Sequence, residues 1–146
     1  MLVQLAIGTA LILCTVVVAG AAYWLLEAIL TRLHPWLRRE PHGPKLMLVL
    51  CVSVTWVLMM MTSMVWIWAF AFLLLDIFVT LEASVYFALV AFTTLGFGDL
   101  LLPVEWRLLG GMAAANGFLS FGLMTAMMVE VLRDVRHSQA EMRRGR

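Results

Sequence analysis

Residues 84–103 read SVYFALVAFTTLGFGDLLLP, and this stretch decides how the rest of the chain is interpreted. An apolar run of 13 residues, from Leu81 to Thr93, leads into the string TTLGFGD at positions 93–99. As a helix the run would be roughly 20 Å long, which is short of the roughly 30 Å hydrocarbon core of a bilayer. We therefore predict a helix that enters the membrane and a loop that returns to the same side. Because irregular backbone is tolerated at membrane depth only inside protein or beside water, this arrangement indicates a pore.

The start of the short helix is also marked in the sequence. Thr80 precedes the apolar run and is predicted to be the N-cap, since a threonine hydroxyl can accept a hydrogen bond from a free N–H of the first turn. Glu82 falls in that first turn, where the helix dipole favours a negative charge. We predict a pore helix over residues 81–93.

The composition identifies the class of protein. Hydrophobic residues make up 64% of the chain and charged residues only 13%, against about 25% charged residues in a soluble domain. Cys14 and Cys51 each lie in an apolar run and are expected to be small hydrophobes without a disulfide. His34 and His42 are expected to be solvated and not metal ligands. No C-x-x-C, H-E-x-x-H or Walker-type loop occurs, so we expect a membrane protein that is not an enzyme, has no cofactor and binds no nucleic acid.

Three segments are long enough to cross a membrane. They are an N-terminal helix within residues 1–30, an outer helix over 46–75 and an inner helix over 106–130. Prolines 35, 41 and 44 predict a loop over 31–45, and residues 131–146 form a short basic tail. The first segment could instead be a cleaved signal peptide, but no Lys or Arg precedes Arg32, so we favour a retained helix.

The basic residues predict the orientation of the chain. Nine of the ten Lys and Arg residues fall in the 31–45 loop or the tail, and only Arg107 falls elsewhere. The positive-inside rule then places loop and tail in the cytoplasm and the N-terminus outside a plasma (inner) membrane. The outer face would carry four acidic residues that concentrate cations: Asp76, Glu82, Asp99 and Glu105.

The string TLGFGD, set between membrane-length helices, resembles the selectivity filter of the potassium channel pore-domain family. The resemblance implies a homotetramer in which the backbone carbonyls of Thr94, Leu95, Gly96 and Phe97 coordinate K+, the permeant ion. Glycines at alternate positions suit this role, because the strand needs backbone conformations that are open mainly to glycine. By the same resemblance the filter is supported by Thr93, Gly98, Asp99, Tyr86 and Phe87.

Two features of this filter follow from the comparison with the family. Asp99 corresponds to the family's post-filter aspartate, which bonds an aromatic residue of the pore helix, so we predict a hydrogen bond between Tyr86 and Asp99. Leu95 and Phe97 stand where the family usually has Val and Tyr. Phe97 keeps an aromatic ring but lacks the hydroxyl group.

The inner helix extends the resemblance. Its sequence SFGLMTA at 120–126 is similar to that of the proton-gated two-helix members of the family. The resemblance implies that Gly117 is a hinge, that Phe121 packs below the filter and that Thr125 lines the cavity. Gly122 could belong to the gate or only to helix packing. The small-residue pairs Ala113/Gly117 and Gly122/Ala126, four positions apart, would permit close helix approach.

Three functions fit these observations. The leading interpretation is a K+-selective tetrameric channel. The alternatives are a weakly selective cation channel and a non-conducting membrane subunit that associates with another channel. No helix carries the regularly spaced arginines of a voltage sensor, so the gating stimulus is not predicted. The basic loop and tail could contact anionic lipid.

Overall fold

The computed structural model describes residues 1–37 and 42–144, and the regular structure within these ranges is helical. Helix α1 spans Leu2–Leu37 and α2 spans His42–Leu74. The short helix α3 spans Leu81–Phe92, a 3₁₀ turn covers Val104–Trp106, and α4 spans Arg107–Arg144.

Three of these helices contain stretches that are long and apolar enough to cross a membrane, whereas α3 does not. The stretches are Leu2–Ile29, Met47–Leu74 and Val104–Arg133. Helix α3 has 12 residues, or about 18 Å at about 1.5 Å per residue. The predicted fold class, an all-α membrane protein with three spanning helices and a short helix between the last two, is therefore confirmed.

The loop predicted over residues 31–45 is largely helical. Helix α1 continues to Leu37 and α2 begins at His42. Pro44 is the third residue of α2, where backbone N–H groups have no acceptor within the helix, so its missing N–H costs no hydrogen bond. Pro35 lies in the last turn of α1, where it can disturb only the end of the helix. The remainder of the predicted loop, with Arg38, Arg39 and Pro41, lies outside the described residues.

Helix α4 continues through the predicted tail to Arg144. Arg, Glu, Gln, Ala, Leu and Met are good helix formers, and they make up ten of the 16 residues from 131 to 146. Arg146 lies outside the described residues.

Helix α4 packs on the rest of the chain through one face. The buried residues of this face are spaced three or four apart, as expected for one side of a helix; they are Leu109, Ala113, Asn116, Ser120, Met124, Met127 and Val131. The opposite face carries Phe118, Leu119, Gly122, Thr125 and Val129, and all five are exposed in the single chain. One chain therefore leaves an apolar face of α4 uncovered.

An aromatic cluster fixes α3 against the end of α2. Trp68 and Phe72 of α2 are both fully buried. The ring of Phe87 on α3 meets Phe72 edge-to-face with centroids 5.3 Å apart, and it lies 5.3 Å from the ring of Phe78. Edge-to-face pairs add to the free energy gained by burial, so this cluster holds α3 at a defined position beside α2.

Candidate functional site

Thr80 caps the N-terminus of α3 as predicted. Its backbone is extended, and its hydroxyl oxygen accepts a hydrogen bond from the N–H of Ala83 at 3.2 Å. The buried Ser84 hydroxyl donates to the Thr80 carbonyl at 3.1 Å, which closes the first turn from the other direction. Glu82 lies in this turn, where it complements the helix dipole. The hydroxyl groups of Thr80 and Ser84 thus both stabilise the first turn of α3.

The C-terminus of α3 ends in a Schellman motif. It is followed directly by residues 94–99, TLGFGD, a segment without regular secondary structure that we call the TLGFGD strand. The N–H of Leu95 donates to the Val90 carbonyl at 3.1 Å, and the N–H of Thr94 donates to the Ala91 carbonyl at 3.0 Å. Thr94 occupies the left-handed position with φ 59°, where glycine is the usual residue. A left-handed conformation costs a residue with a Cβ roughly 1–2 kcal/mol, and such strain is concentrated at functional sites.

Left-handed backbone then recurs at every second residue of the strand. Thr94, Gly96 and Gly98 have φ of 59°, 58° and 79°, whereas Leu95 and Phe97 between them keep negative φ. Glycine adopts the left-handed conformation at little cost, so the two glycines suit this alternation and Thr94 is the position that bears strain.

The predicted hydrogen bond between Tyr86 and Asp99 is confirmed. The Tyr86 hydroxyl donates to Oδ2 of Asp99 at 2.6 Å, a length typical of a bond to a charged carboxylate. This bond lowers the pKa of Asp99, because it stabilises the carboxylate, and backbone N–H groups act in the same direction. It also raises the pKa of Tyr86, because the phenol must keep its proton to donate. The bond ties the end of the strand back to the middle of α3.

Replacing Tyr86 with phenylalanine tests this tie. We expect Tyr86→Phe to lower the melting temperature of the purified protein in K+ by a few degrees at pH 7, because the end of the strand loses its hydrogen bond to α3.

The effect should depend on pH. The lowered pKa of Asp99 means that the stability contributed by its carboxylate is present above the ordinary pKa of 3.8 and is lost as the pH falls through the folded-state value. The raised pKa of Tyr86 means that its contribution persists up to its ordinary value of 10.0 and is lost as the pH rises through the folded-state value.

Tyr23→Phe is the matched control, since Tyr23 is the other tyrosine of the chain and is exposed on α1. Melting curves of the wild type and both variants from pH 3 to pH 8 would check the prediction. The difference between wild type and Tyr86→Phe should become smaller toward the acid end, below the ordinary Asp99 pKa of 3.8. Equal shifts in the two variants at pH 7 would show that the bond contributes nothing.

The side chains of the strand are turned away from the core of their own chain. Leu95 is 61% exposed and Phe97 is 65% exposed, whereas Phe87 packs against Phe72 and Phe78. Thr93, the C-cap of α3, donates its hydroxyl to the Leu89 carbonyl at 2.8 Å. A single chain therefore presents the strand on its surface, held at both ends.

Gly117 of α4 lies directly against the C-terminus of α3. A Cβ atom placed on Gly117 would be 2.6 Å from Cα and 2.8 Å from the carbonyl carbon of Phe92, and in contact with the Phe92 carbonyl oxygen. These are backbone atoms that cannot rotate away. The close approach expected at Gly117 is therefore present, and it gives this residue a packing role beside the hinge role implied by the family resemblance.

The other residues assigned to the cavity and gate lie on the uncovered face of α4. Phe121, Gly122 and Thr125 are all exposed in the single chain, and a Cβ on Gly122 would meet nothing within 4 Å. The Thr125 hydroxyl donates to the Phe121 carbonyl of its own helix at 2.8 Å. The Gly122/Ala126 pair is thus not used for packing within the chain.

Sequence reasoning missed a buried polar contact between α1 and α4. The Asn116 side-chain amide donates to the Thr15 hydroxyl oxygen at 2.8 Å, and both residues are 1% exposed. Near one end of the same interface, Gln4 donates to the Glu105 carbonyl. The available signal was the presence of polar residues inside otherwise apolar spans, above all Asn116, the single asparagine of the chain.

Comparison with known proteins supports the grouping of these elements. A family model described as an ion channel, Ion_trans_2, matches residues 46–134. The chain belongs to this ion channel family. The match begins near the start of α2 and ends within α4, so it contains α3 and the TLGFGD strand and leaves α1 outside. No curated protein and no solved structure shows significant similarity to this ion channel.

Proposed function

We propose that the chain is a K+-selective channel that works as a homotetramer, with the strand at residues 94–99 as its filter. The observation that carries the proposal is the positive φ at every second residue, Thr94, Gly96 and Gly98. These residues directly follow a helix that is too short to span the membrane. In a member of an ion channel family, an exposed strand of this conformation is suited to turn its carbonyl groups toward a permeant ion.

Backbone carbonyls suit the chemistry of conduction. They replace the hydration shell of a cation with strong dipoles that carry no net charge, so an ion can enter and leave without a covalent step. The carbonyls of Thr94, Leu95, Gly96 and Phe97 would form successive sites, and the Thr94 hydroxyl would close the innermost site. The carbonyl end of α3 is negative and would favour a cation in the cavity below it.

A ring of several chains is needed because one chain supplies one strand. Head-to-tail contacts between identical subunits close into such a ring. The uncovered face of α4, with Phe118 and Leu119 at 70% and 63% exposure, offers an apolar surface for neighbouring subunits. Phe97 and Leu95 would also find their packing partners across subunits.

Charge at one end of the chain supports a cation over an anion. Four acidic residues lie on the connection between α2 and α4, and all four are exposed: Asp76, Glu82, Asp99 and Glu105. The connection itself contains no Lys or Arg, and Arg107 is the first residue of α4. A negative mouth raises the local concentration of cations and thereby their rate of entry. In this proposal the mouth and the N-terminus are outside the plasma membrane, and the basic tail faces cytoplasmic anionic lipid.

The reversal potential tests the proposal directly. Purified protein in a planar bilayer, with K+ on one side and Na+ on the other, should conduct with a reversal potential near the K+ equilibrium potential. Current that reverses near zero would replace the proposal with a weakly selective cation channel, because selectivity depends on all the stacked sites being intact. Absence of current, together with a larger channel that always co-purifies, would indicate a non-conducting subunit.

A further inference from the structure

Helices α1 and α4 run in the same direction with a constant offset in sequence. Two hydrogen bonds join them, and in each the two residues are 101 positions apart: Gln4 with Glu105 and Thr15 with Asn116. Between these bonds, Gly8 lies against the side chains of Met112 and Leu109. In an antiparallel pair the sum of the residue numbers would be constant, whereas here their difference is constant. The two helices are therefore parallel and share one register.

The same offset relates the buried residues of the two helices. In α1, Gly8, Thr15, Ala19 and Leu26 are buried, and their counterparts 101 positions later are buried too: Leu109, Asn116, Ser120 and Met127. The spacing along each helix is seven, four and seven residues. This is the repeat of a parallel coiled-coil seam, in which a single polar residue can specify the register at a cost in stability.

Thr15 and Asn116 form the polar contact of this seam. The Thr15 hydroxyl lies 2.7 Å from the Ile12 carbonyl, to which it donates, and 2.8 Å from the Asn116 amide nitrogen, from which it accepts. If α4 moved by one turn, Asn116 would lie opposite an apolar residue such as Ile12 or Ala19. Its amide would then be buried without a partner, which is strongly unfavourable in a dry interface.

The register between α1 and α4 matters here because the residue that follows Asn116 in α4 is Gly117. Gly117 lies against the backbone of Phe92 at the end of α3, and the TLGFGD strand starts two residues after Phe92. Sliding α4 would bring a residue with a side chain against that backbone. The axial position of α4 relative to α1 therefore decides whether Gly117 packs against the C-terminus of α3, from which the strand starts.

We propose that Thr15 and Asn116 are a register-setting pair. Through their contact, the N-terminal helix α1 holds the inner helix α4 at the axial position where Gly117 contacts the pore helix α3. The register itself follows from contacts within the chain. Its consequence for conduction rests on the proposed channel function. The proposal assigns a positioning role to α1, the helix that lies outside the family match.

The two residues should respond differently to substitution. Thr15→Val leaves the Asn116 amide buried without a partner, whereas Asn116→Leu leaves the Thr15 hydroxyl bonded to Ile12. Thr15→Val should therefore melt at the lower temperature of the two. The double variant Thr15→Val/Asn116→Leu should regain the melting temperature lost in Thr15→Val, because both groups are then apolar, yet it should not regain a unique register.

Disulfide crosslinking in membranes measures the register. In full-length protein with Cys14→Ser and Cys51→Ser, Ala19→Cys is paired either with Ser120→Cys, at the offset of 101, or with Met124→Cys, one turn further along the same face. Crosslinks form only where Cα atoms come within about 7 Å, and mass spectrometry of the linked peptides quantifies them. We expect the 19–120 link to dominate, and its ratio to the 19–124 link to fall at least about threefold in Thr15→Val and in the double variant.

Thr55→Val is the matched control, because Thr55 is exposed on α2 and its hydroxyl donates to the Cys51 carbonyl of its own helix in the wild type. For this control the cysteine at position 51 is again replaced by serine. An unchanged ratio in Thr15→Val, or an equal fall in Thr55→Val, would overturn the proposal.

In planar bilayers, the double variant should show shorter conducting bursts in K+ than the wild type, and bursts of unchanged length would overturn the positioning role. Failure of the wild type to conduct would count against the channel function and not against the crosslinking result.

Discussion

Gly117→Ala is expected to destabilise the protein more than any other single methyl addition along α4. The new Cβ would lie 2.6 Å from Cα of Phe92, and neither backbone can yield without moving a whole helix end. Overpacking a core costs about 1–3 kcal/mol, occasionally more, and contact with backbone places this change at the upper end. We expect a free energy of unfolding lower by about 3 kcal/mol per chain.

Gly122→Ala provides the matched control, five residues along the same helix. A Cβ there meets nothing within 4 Å, and alanine is favoured over glycine in a helix interior by about 1 kcal/mol. Denaturant titrations followed by tryptophan fluorescence would compare the two variants in the same detergent. If Gly117→Ala were as stable as Gly122→Ala but changed channel opening, Gly117 would act as a hinge and the packing role would be wrong.

The second large effect is expected at Gly96. Gly96→Ala adds a methyl group that meets nothing within 4 Å, but the residue has φ +58°, which costs an alanine roughly 1–2 kcal/mol. In a ring of four chains the total would be about 4–8 kcal/mol, concentrated on one layer of the filter. Relaxation of that strain would turn carbonyls away from the ion path. We therefore expect the reversal potential to move from the K+ equilibrium potential to near zero, or the current to be lost.

Gly20→Ala separates backbone strain from the mere addition of a methyl group. A Cβ on Gly20 also meets nothing within 4 Å, and Gly20 lies in α1 with an ordinary helical backbone. Bilayer recordings of both variants under the same K+ and Na+ gradient would check the prediction. A Gly96→Ala channel that remains selective for K+ would show that the left-handed conformation at this position is not needed for the filter.

The short helix and its surroundings could be predicted from sequence because local rules decide them. The apolar run after Thr80 is too short to span a membrane, and the helix indeed ends at Phe92. Thr80 caps it through its own side chain, which depends on residues three positions away. The Tyr86–Asp99 bond was predicted from family resemblance, and it joins the end of the strand to the middle of α3.

The features that sequence did not reveal depend on contacts between distant segments. Thr15 and Asn116 look like ordinary interruptions of apolar spans until α1 and α4 are seen side by side. Gly117 was assigned a hinge role, and its contact with Phe92 depends on how closely two helices approach. The loop over 31–45 was predicted from its polar residues, three prolines and one glycine. Prolines break a helix mainly in its interior, and Pro35 lies in the last turn of α1 while Pro44 lies in the first turn of α2.

The parallel pairing of α1 with α4 also sets the order in which the chain can assemble. A contact between residues 101 positions apart cannot form until the ribosome has made both. At a synthesis rate of about 5–20 residues per second, the first helix waits roughly 5 to 20 seconds for its partner. During that interval α2 and α3 can pack against each other through residues that are close in sequence, so the α2–α3 contact can form before the α1–α4 pairing.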